Sequence, residues 1–153
     1  MYFTKSKREI SLEESNLKLR EIKHQVEDLM FLLGDDCENI KIDWKDTDQF
    51  FLKEQHKHML DKLTDFYYLL SYLSLPVIEQ GYVKAEGNYY QIKNSSTRLQ
   101  LGDKCEILYD NPSTDKQNWV LTRILHKDQS YFAEAIGENV SLEGLFVRIR
   151  GYS

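Results

Sequence analysis

Residues 66–86 read FYYLLSYLSLPVIEQGYVKAE, and the hydrophobic period changes inside this stretch at Pro76. Upstream, apolar residues recur every three to four positions in two long blocks, the pattern of amphipathic helices. Downstream, short alternating runs are cut by Gly, Asn and Asp, the pattern of strands and turns. Proline closes the first part because its ring disfavours helical backbone in the residue before it. The resulting expectation is an α+β chain with an N-terminal antiparallel helical hairpin over residues 1–76. A small SH3-like, partly closed antiparallel β-barrel follows over 77–153.

Working back from Pro76, Leu52, Met59, Leu63, Phe66, Leu70 and Leu73 repeat at helical spacing and form the expected seam of the second helix. That helix is predicted to begin at Asp46 or Thr47 and to run to about Leu75. Phe51, Leu60, Tyr67, Leu69 and Tyr72 fall outside the seam. A single facing helix cannot cover so wide an apolar surface, so this helix is expected also to touch the β module, another chain, or both. The first helix is predicted to start at Ser11, with Glu14 three residues later as its capping-box partner, and to stop at Gly34. Its stripe is Leu19, Ile22, Val26, Leu29 and Leu33. Between the helices, Ile40, Ile42 and Trp44 alternate with Lys41 and Asp43. This predicts a short extended piece whose Trp is a packing anchor.

Forward of Pro76, Gly81–Ala85 and Tyr89–Lys93 flank Glu86-Gly87-Asn88, the spacing of a hairpin. Further strands are predicted near Cys105–Asp110, Trp119–His126, Tyr131–Ile136 and Leu145–Arg150, with a polar loop over Asp110–Asn118 and a tight connection at Asp128–Ser130. In the last strand Leu145, Val147 and Ile149 face the core while Phe146, Arg148 and Arg150 face outward. Cys105 and Ile107 face in against Glu106. Trp119–His126 is apolar on both faces, as expected for a strand covered by barrel core on one side and by the helices on the other.

Four segments in this half have a recognisable order: Gly81-Tyr82; Leu101-Gly102-Asp103 with Glu106-Ile107; Trp119 with Thr122-Arg123-Ile124; and Gly144-Leu145 with Val147-Arg148-Ile149-Arg150. Together they resemble a small uncharacterised β-barrel domain family, typically encoded on bacterial mobile elements. The resemblance covers about Gly81 to Arg150 and leaves the hairpin unmatched. It implies a compact barrel in an accessory protein and brings no catalytic residues.

Composition narrows the function. With 153 residues, 41% hydrophobic and 12% aromatic, the chain has enough apolar surface to fold as one ordinary domain or two small ones. Net charge is −5: residues 1–75 carry 11 Lys and Arg against 15 Asp and Glu, and residues 76–153 carry 9 against 10. Neither half has the clustered positive character of a phosphate-tracking surface. Met1–Lys7 has no apolar core of a signal peptide, and no stretch is long and apolar enough to span a bilayer, so a cytoplasmic location without membrane contact is expected. Cys37 and Cys105, one in each half and without metal-ligand spacing, read as free thiols.

Glu21 and His24 form an E-x-x-H, the pair that di-metal bundles point inward. At ~100° per residue they fall on the side opposite the apolar stripe, so no metal or other cofactor is expected. His56 falls within the second helix's apolar stripe and reads as a hydrogen-bonded core or interface residue, with a pH-sensitive helix contact as the functional alternative. There is no phosphate loop, nucleophile elbow or zinc-protease motif.

The expectation is therefore a non-enzymatic interaction protein that binds a protein partner or itself, as a homo-oligomer such as a homodimer. Its hairpin interface is expected to include Phe51, His56, Leu60, Tyr67 and Tyr72. The barrel is expected to supply a recognition face from Arg123, Tyr131, Phe146, Arg148 and Arg150, against the plainer reading of an ordinary solvated strand face. The alternative is nucleic-acid binding through a positive strip of Arg123, Arg148 and Arg150.

Overall fold

The structure, a computed structural model, describes residues 9–152. The Met1–Lys7 stretch read above for a targeting signal lies outside them. The chain divides into two compact units, one ending at Ser74 and the other beginning at Leu75.

The first unit holds helix α1 (Leu12–Leu33) and helix α2 (Thr47–Leu73), with a 3-10 turn at Asp35–Cys37 between them. Their ends are set by local chemistry. The Ser11 hydroxyl accepts from the Glu14 N–H at 3.0 Å, and Glu13 and Glu14 place negative charge where the helix exposes its amide dipoles. Gly34, at φ +74°, stops α1 in the left-handed region and donates to the Met30 carbonyl. Asp46 caps α2 by accepting from the amides of Asp48 and Gln49 at 3.0 and 3.1 Å. The two helices run antiparallel: Leu29 and Leu33 line a groove with His56 and Leu60, while earlier in α1 Glu27 meets the Tyr67 hydroxyl at 3.4 Å.

Expectations for this unit are corrected in part. The α2 seam is observed at Leu63, Phe66 and Leu70, which are half-buried, and Met59 and Leu63 line the groove against Leu29 and Leu33; but Leu52, Met59 and Leu73 are largely exposed, and the buried residues of the helix are Leu60, 8% exposed, and Tyr72. The reason lies in the amphipathic residues of the seam. Tyr67 sits over α1 with the Lys23 ammonium 5.2 Å from its ring and its hydroxyl toward Glu27, so its apolar body is covered while its tip stays polar. Trp44 is no packing anchor, being 69% exposed. Asp43 turns the chain there by accepting from the Lys45 amide at 3.0 Å, so the predicted extended piece does not form. The Trp44 ring packs instead on Phe50, at 6.0 Å between centroids, with the Lys53 ammonium 5.3 Å away.

The second unit is a curled antiparallel sheet of seven strands that forms a partly closed barrel. The strands are β1 (Val77–Glu86), β2 (Tyr89–Ile92), β3 (Arg98–Leu99), β4 (Lys104–Asn111), β5 (Lys116–Lys127), β6 (Ser130–Ala133) and β7 (Phe146–Arg150). Their order is β3-β2-β1-β7-β4-β5-β6, so β1, β7, β4 and β5 are flanked on both sides. Curling brings the segment after β3 back to β5, where the Gly102 amide donates to the Ile124 carbonyl at 2.8 Å and the Ile124 amide donates to Asp103 at 2.9 Å. The core comprises Val83, Ile92, Leu99, Cys105, Ile107, Ile124, Ala133, Leu142 and Val147. The alternation expected in β4 and β7 is observed, with Cys105, Ile107 and Val147 facing in. Asp128 and Gln129, both at positive φ, make the tight turn between β5 and β6. The polar loop predicted over Asp110–Asn118 is mostly strand: Asn111 pairs with Lys116, leaving only the four residues between them as a turn. Among the described residues no helix is long and apolar enough to cross a membrane.

Candidate functional site

The outer face of the four central strands is built row by row from their register. Tyr82 on β1 opposes Phe146 on β7, Phe146 opposes Leu108 on β4, and Leu108 opposes Trp119 on β5. Because side chains alternate across a strand, these four residues point away from the barrel core in one line. The next line, two residues along, is Gln80, Arg148, Glu106 and Leu121.

The first line is an aromatic ridge. Tyr82 and Phe146 meet edge to face at 4.9 Å and 66°, and Trp119 tilts against Phe146 at 6.1 Å and 48°. Tyr82 nonetheless remains 59% exposed, and Trp119 is open as well. A groove of about 410 Å³ runs beside the ridge, with Tyr82, Leu108, Phe146, Asp110 and Gln117 among its walls.

The second line is a charge cluster. Glu106 points outward yet is only 4% exposed, because two arginines close over it. Arg148 donates to its Oε1 from Nε and Nη2 at 3.0 and 2.8 Å, and Arg150 donates to both carboxylate oxygens at 3.0–3.2 Å. Arg150 also donates to the Leu75 carbonyl at 2.9 Å. Burial opposes ionisation of Glu106, but the hydrogen bonds and charges of Arg150 and Arg148 outweigh it and hold the carboxyl below its ordinary range. The other face of the Arg148 guanidinium environment is aromatic, with the Trp119 ring centroid 4.0 Å from its central carbon.

No family model, curated protein or solved structure matches the chain. The arrangement of the residues themselves is therefore what bears on function.

Of the face proposed from sequence, the structure brings together Phe146, Arg148 and Arg150. Arg123 lies on the same side of β5 but pairs with Glu134 at 3.2 Å. Tyr131 does not join them: its ring lies 4.6 Å from His126 and packs against the barrel core. On α2, Phe51 and His56 are exposed and Tyr67 is half-buried, while Leu60 and Tyr72 are buried and so unable to serve as an open interface. Glu21 and His24 are both exposed. Among the described residues no cluster of three or more His, Cys, Asp or Glu is arranged to hold a metal.

Sequence reading missed Tyr82 and Trp119 as members of this face. Each lies on a different strand from Phe146, and only register makes them neighbours. The available signal was the alternation of Tyr82 with Val83 and of Trp119 with Val120, which marks the aromatic residue of each pair as outward once its neighbour is assigned to the core.

Proposed function

We propose that this is a non-enzymatic interaction protein, in which the hairpin makes contacts with a second copy or a protein partner and the barrel is a recognition module. The observation that carries this reading is the open apolar flank of α2. Phe51, Leu52, Met59, Leu69 and Leu73 are all exposed and lie along one side of the helix over roughly 33 Å at ~1.5 Å per residue. Apolar surface of that extent on a water-facing helix costs free energy that a covering partner relieves.

The nucleic-acid alternative is less favoured, because the arginines it requires are already engaged. Arg148 and Arg150 neutralise Glu106, and Arg123 meets Glu134. The test of the main reading is light-scattering mass against protein concentration. A mass rising above the 18.2 kDa of one chain, and returning to it in a Leu52→Ser, Leu69→Ser variant, supports self-association. A strict monomer that also captures no protein partner through this flank overturns it.

A further inference from the structure

We infer that the barrel pairs edge to edge with a second copy of this chain: the open edge of β5 at Gln117–Leu121 adds antiparallel to the same edge of the other copy, about a two-fold axis at Trp119. The inference goes beyond the hairpin contacts proposed above and is carried by the barrel alone.

The first argument is the unpaired edge. Over Lys116–Arg123 β5 is paired with β4, but its other neighbour, β6, pairs only with Ile124–Lys127. Hydrogen bonds fix which residues look outward. The Ile124 amide donates to the Asp103 carbonyl and its carbonyl accepts from Gly102, on the β4 side, whereas the Arg123 carbonyl accepts from the Glu134 amide on the opposite side. Backbone groups alternate along an antiparallel strand, and the β4–β5 register runs unbroken from Arg123 to Lys116. The amides and carbonyls of Gln117, Trp119 and Leu121 therefore point to the open edge, and no hydrogen bond satisfies them among the described residues.

The second argument is that this edge is unguarded. Strand edges are kept from pairing by shortness, charge, proline or a bulge. The two strands that end the sheet use shortness, β3 having 2 residues and β6 having 4. In contrast, Gln117-Asn118-Trp119-Val120-Leu121-Thr122 carries no charge, no Pro and no Gly, and its Trp, Val and Thr favour extended backbone.

The third argument names the occupant. Gln117, Trp119 and Leu121 are symmetric about Trp119, so an antiparallel second copy uses every outward group once. Trp119 meets its own equivalent and Gln117 meets Leu121, giving about six hydrogen bonds. That register opposes no like charges. Lys116 comes level with Thr122, and Asp115, at the turn before β5, comes level with Arg123 of the second copy. Asp115 is exposed and makes no ion pair among the described residues. Arg123 gives Nε and Nη2 to Glu134, which leaves Nη1 for the incoming carboxylate. On the outer face the two Trp119 rings meet across the axis, so two aromatic lines become one and the open end of each is covered. A strand of another protein could satisfy the backbone, but nothing in this edge matches its ends as the edge matches itself. About six hydrogen bonds stand at the low end for a standard interface, so the pair is a weak one that covalent capture reads better than mass does.

The experiment captures the pair in the full chain by disulfide formation under mild oxidation, the native Cys37 and Cys105 being buried. Trp119→Cys, Gln117→Cys and Leu121→Cys are oxidised singly, and the last two also as a mixture. Directly opposed residues have Cα atoms ~5.5 Å apart, within disulfide reach, whereas position 117 lies about 14 Å from its own equivalent at ~3.4 Å per residue. The expected result is a cross-linked dimer of Trp119→Cys at roughly five times the yield of either other variant alone, and a recovered yield when those two are mixed. Gln117→Pro, added to Trp119→Cys, removes an outward N–H and leaves the β4 ladder intact, so it lowers the yield about tenfold while circular dichroism stays native.

Equal yields at all three positions, a stronger self-cross-link at 117 or 121 than at 119, or no cross-link at any position would overturn the proposal. The series is repeated in a chain carrying Leu52→Ser and Leu69→Ser. The preference for position 119 persists there, and its disappearance would overturn a contact carried by the barrel alone. Light-scattering mass reads the hairpin separately, so either reading can fail without the other.

Discussion

The guanidinium carbon of Arg148 lies 4.0 Å from the centroid of the Trp119 ring. Arg148 is fixed there by Glu106, a nearly buried carboxylate on the neighbouring strand that holds Arg150 as well. One side chain on β4 thus orders the charged line of the outer face and supports one ring of the aromatic line.

Replacing Glu106 with Gln should therefore be costly. It leaves two guanidinium groups facing a neutral amide, and losing one partner of a buried ion pair costs ~3–5 kcal/mol. Because the Arg148 and Arg150 side chains retain 23% and 18% of their surface in water, the lower end, about 3 kcal/mol, is expected from urea midpoints. The pH dependence has a definite sign. The folded-state pKa is held below the reference value of 4.5, so the stabilisation is present above that pH and is lost as pH falls through the folded value. The wild-type chain should lose stability steeply below about pH 4.5, and the Gln variant should show a shallower loss over the same range.

Gly81 is required by close approach. A Cβ built there would lie 2.8 Å from Cγ2 of Ile92, which is itself in the barrel core. Gly81→Ala should destabilise the barrel by about 1–3 kcal/mol, the range for overpacking a well-filled core. Gly87, whose added Cβ meets nothing within 4 Å, is strained through its φ of +62° instead. Because Ile92→Ala removes that Cγ2 methyl, the Gly81→Ala loss should be smaller when measured in an Ile92→Ala background, and a loss undiminished there would rule out the clash.

How much of this was legible in the sequence depends on how local each signal is. Ser11, Gly34, Asp46 and Pro76 act on backbone within a few residues; the ends predicted from the first three are observed, and α2 stops at Leu73, two residues short of the end predicted from Pro76. Val147 and Ile107 sit in strict alternation, and both are fully buried. Tyr82, Phe146 and Trp119 were not grouped because nothing local states that β7 lies between β1 and β4. The α2 seam was read only in part, Leu63, Phe66 and Leu70 being half-buried and Leu52 and Met59 exposed, because Tyr67 and Leu60 carry as much apolar surface as Met59 and Leu52. Only the facing residues Lys23 and Glu27 select between them. Leu142, fully buried within an irregular segment, carries no periodic signal at all.

Both thiols should be unreactive in the folded chain. Cys37 and Cys105 have no exposed surface, and burial pushes both thiols up, Cys105 to about 12. Since the thiolate is the reacting form, a disulfide reagent at neutral pH should titrate neither cysteine quickly in the native state and both in denaturant. The linkage has the opposite sign to that of Glu106. A thiol pKa raised on folding stabilises the native state below the unfolded thiol's value of 9.0 and ceases to do so as pH rises toward about 12, so alkaline unfolding should track thiol exposure. Fast labelling of Cys105 without unfolding would contradict its place in the core.

The turned seam of α2 yields the last prediction, an inequality between neighbours. Leu60 is 8% exposed against α1, while Met59, one residue earlier, is 55% exposed. Leu60→Ala removes buried methyl groups and leaves a cavity, for which ~2–5 kcal/mol is usual, with the lower end expected in a two-helix unit whose walls can relax. Met59→Ala removes a side chain that already meets water, and its effect on folding should stay within about 0.5 kcal/mol. Measured by urea denaturation at the lowest usable protein concentration, the two variants report on folding alone. Repeated at high concentration, the Met59 variant should fall further below wild type, because Met59 belongs to the flank that a second copy or partner would cover. The seam assigned from periodicity alone predicts the reverse order, with Met59 costly and Leu60 nearly silent, so a single pair of unfolding curves separates the two phases.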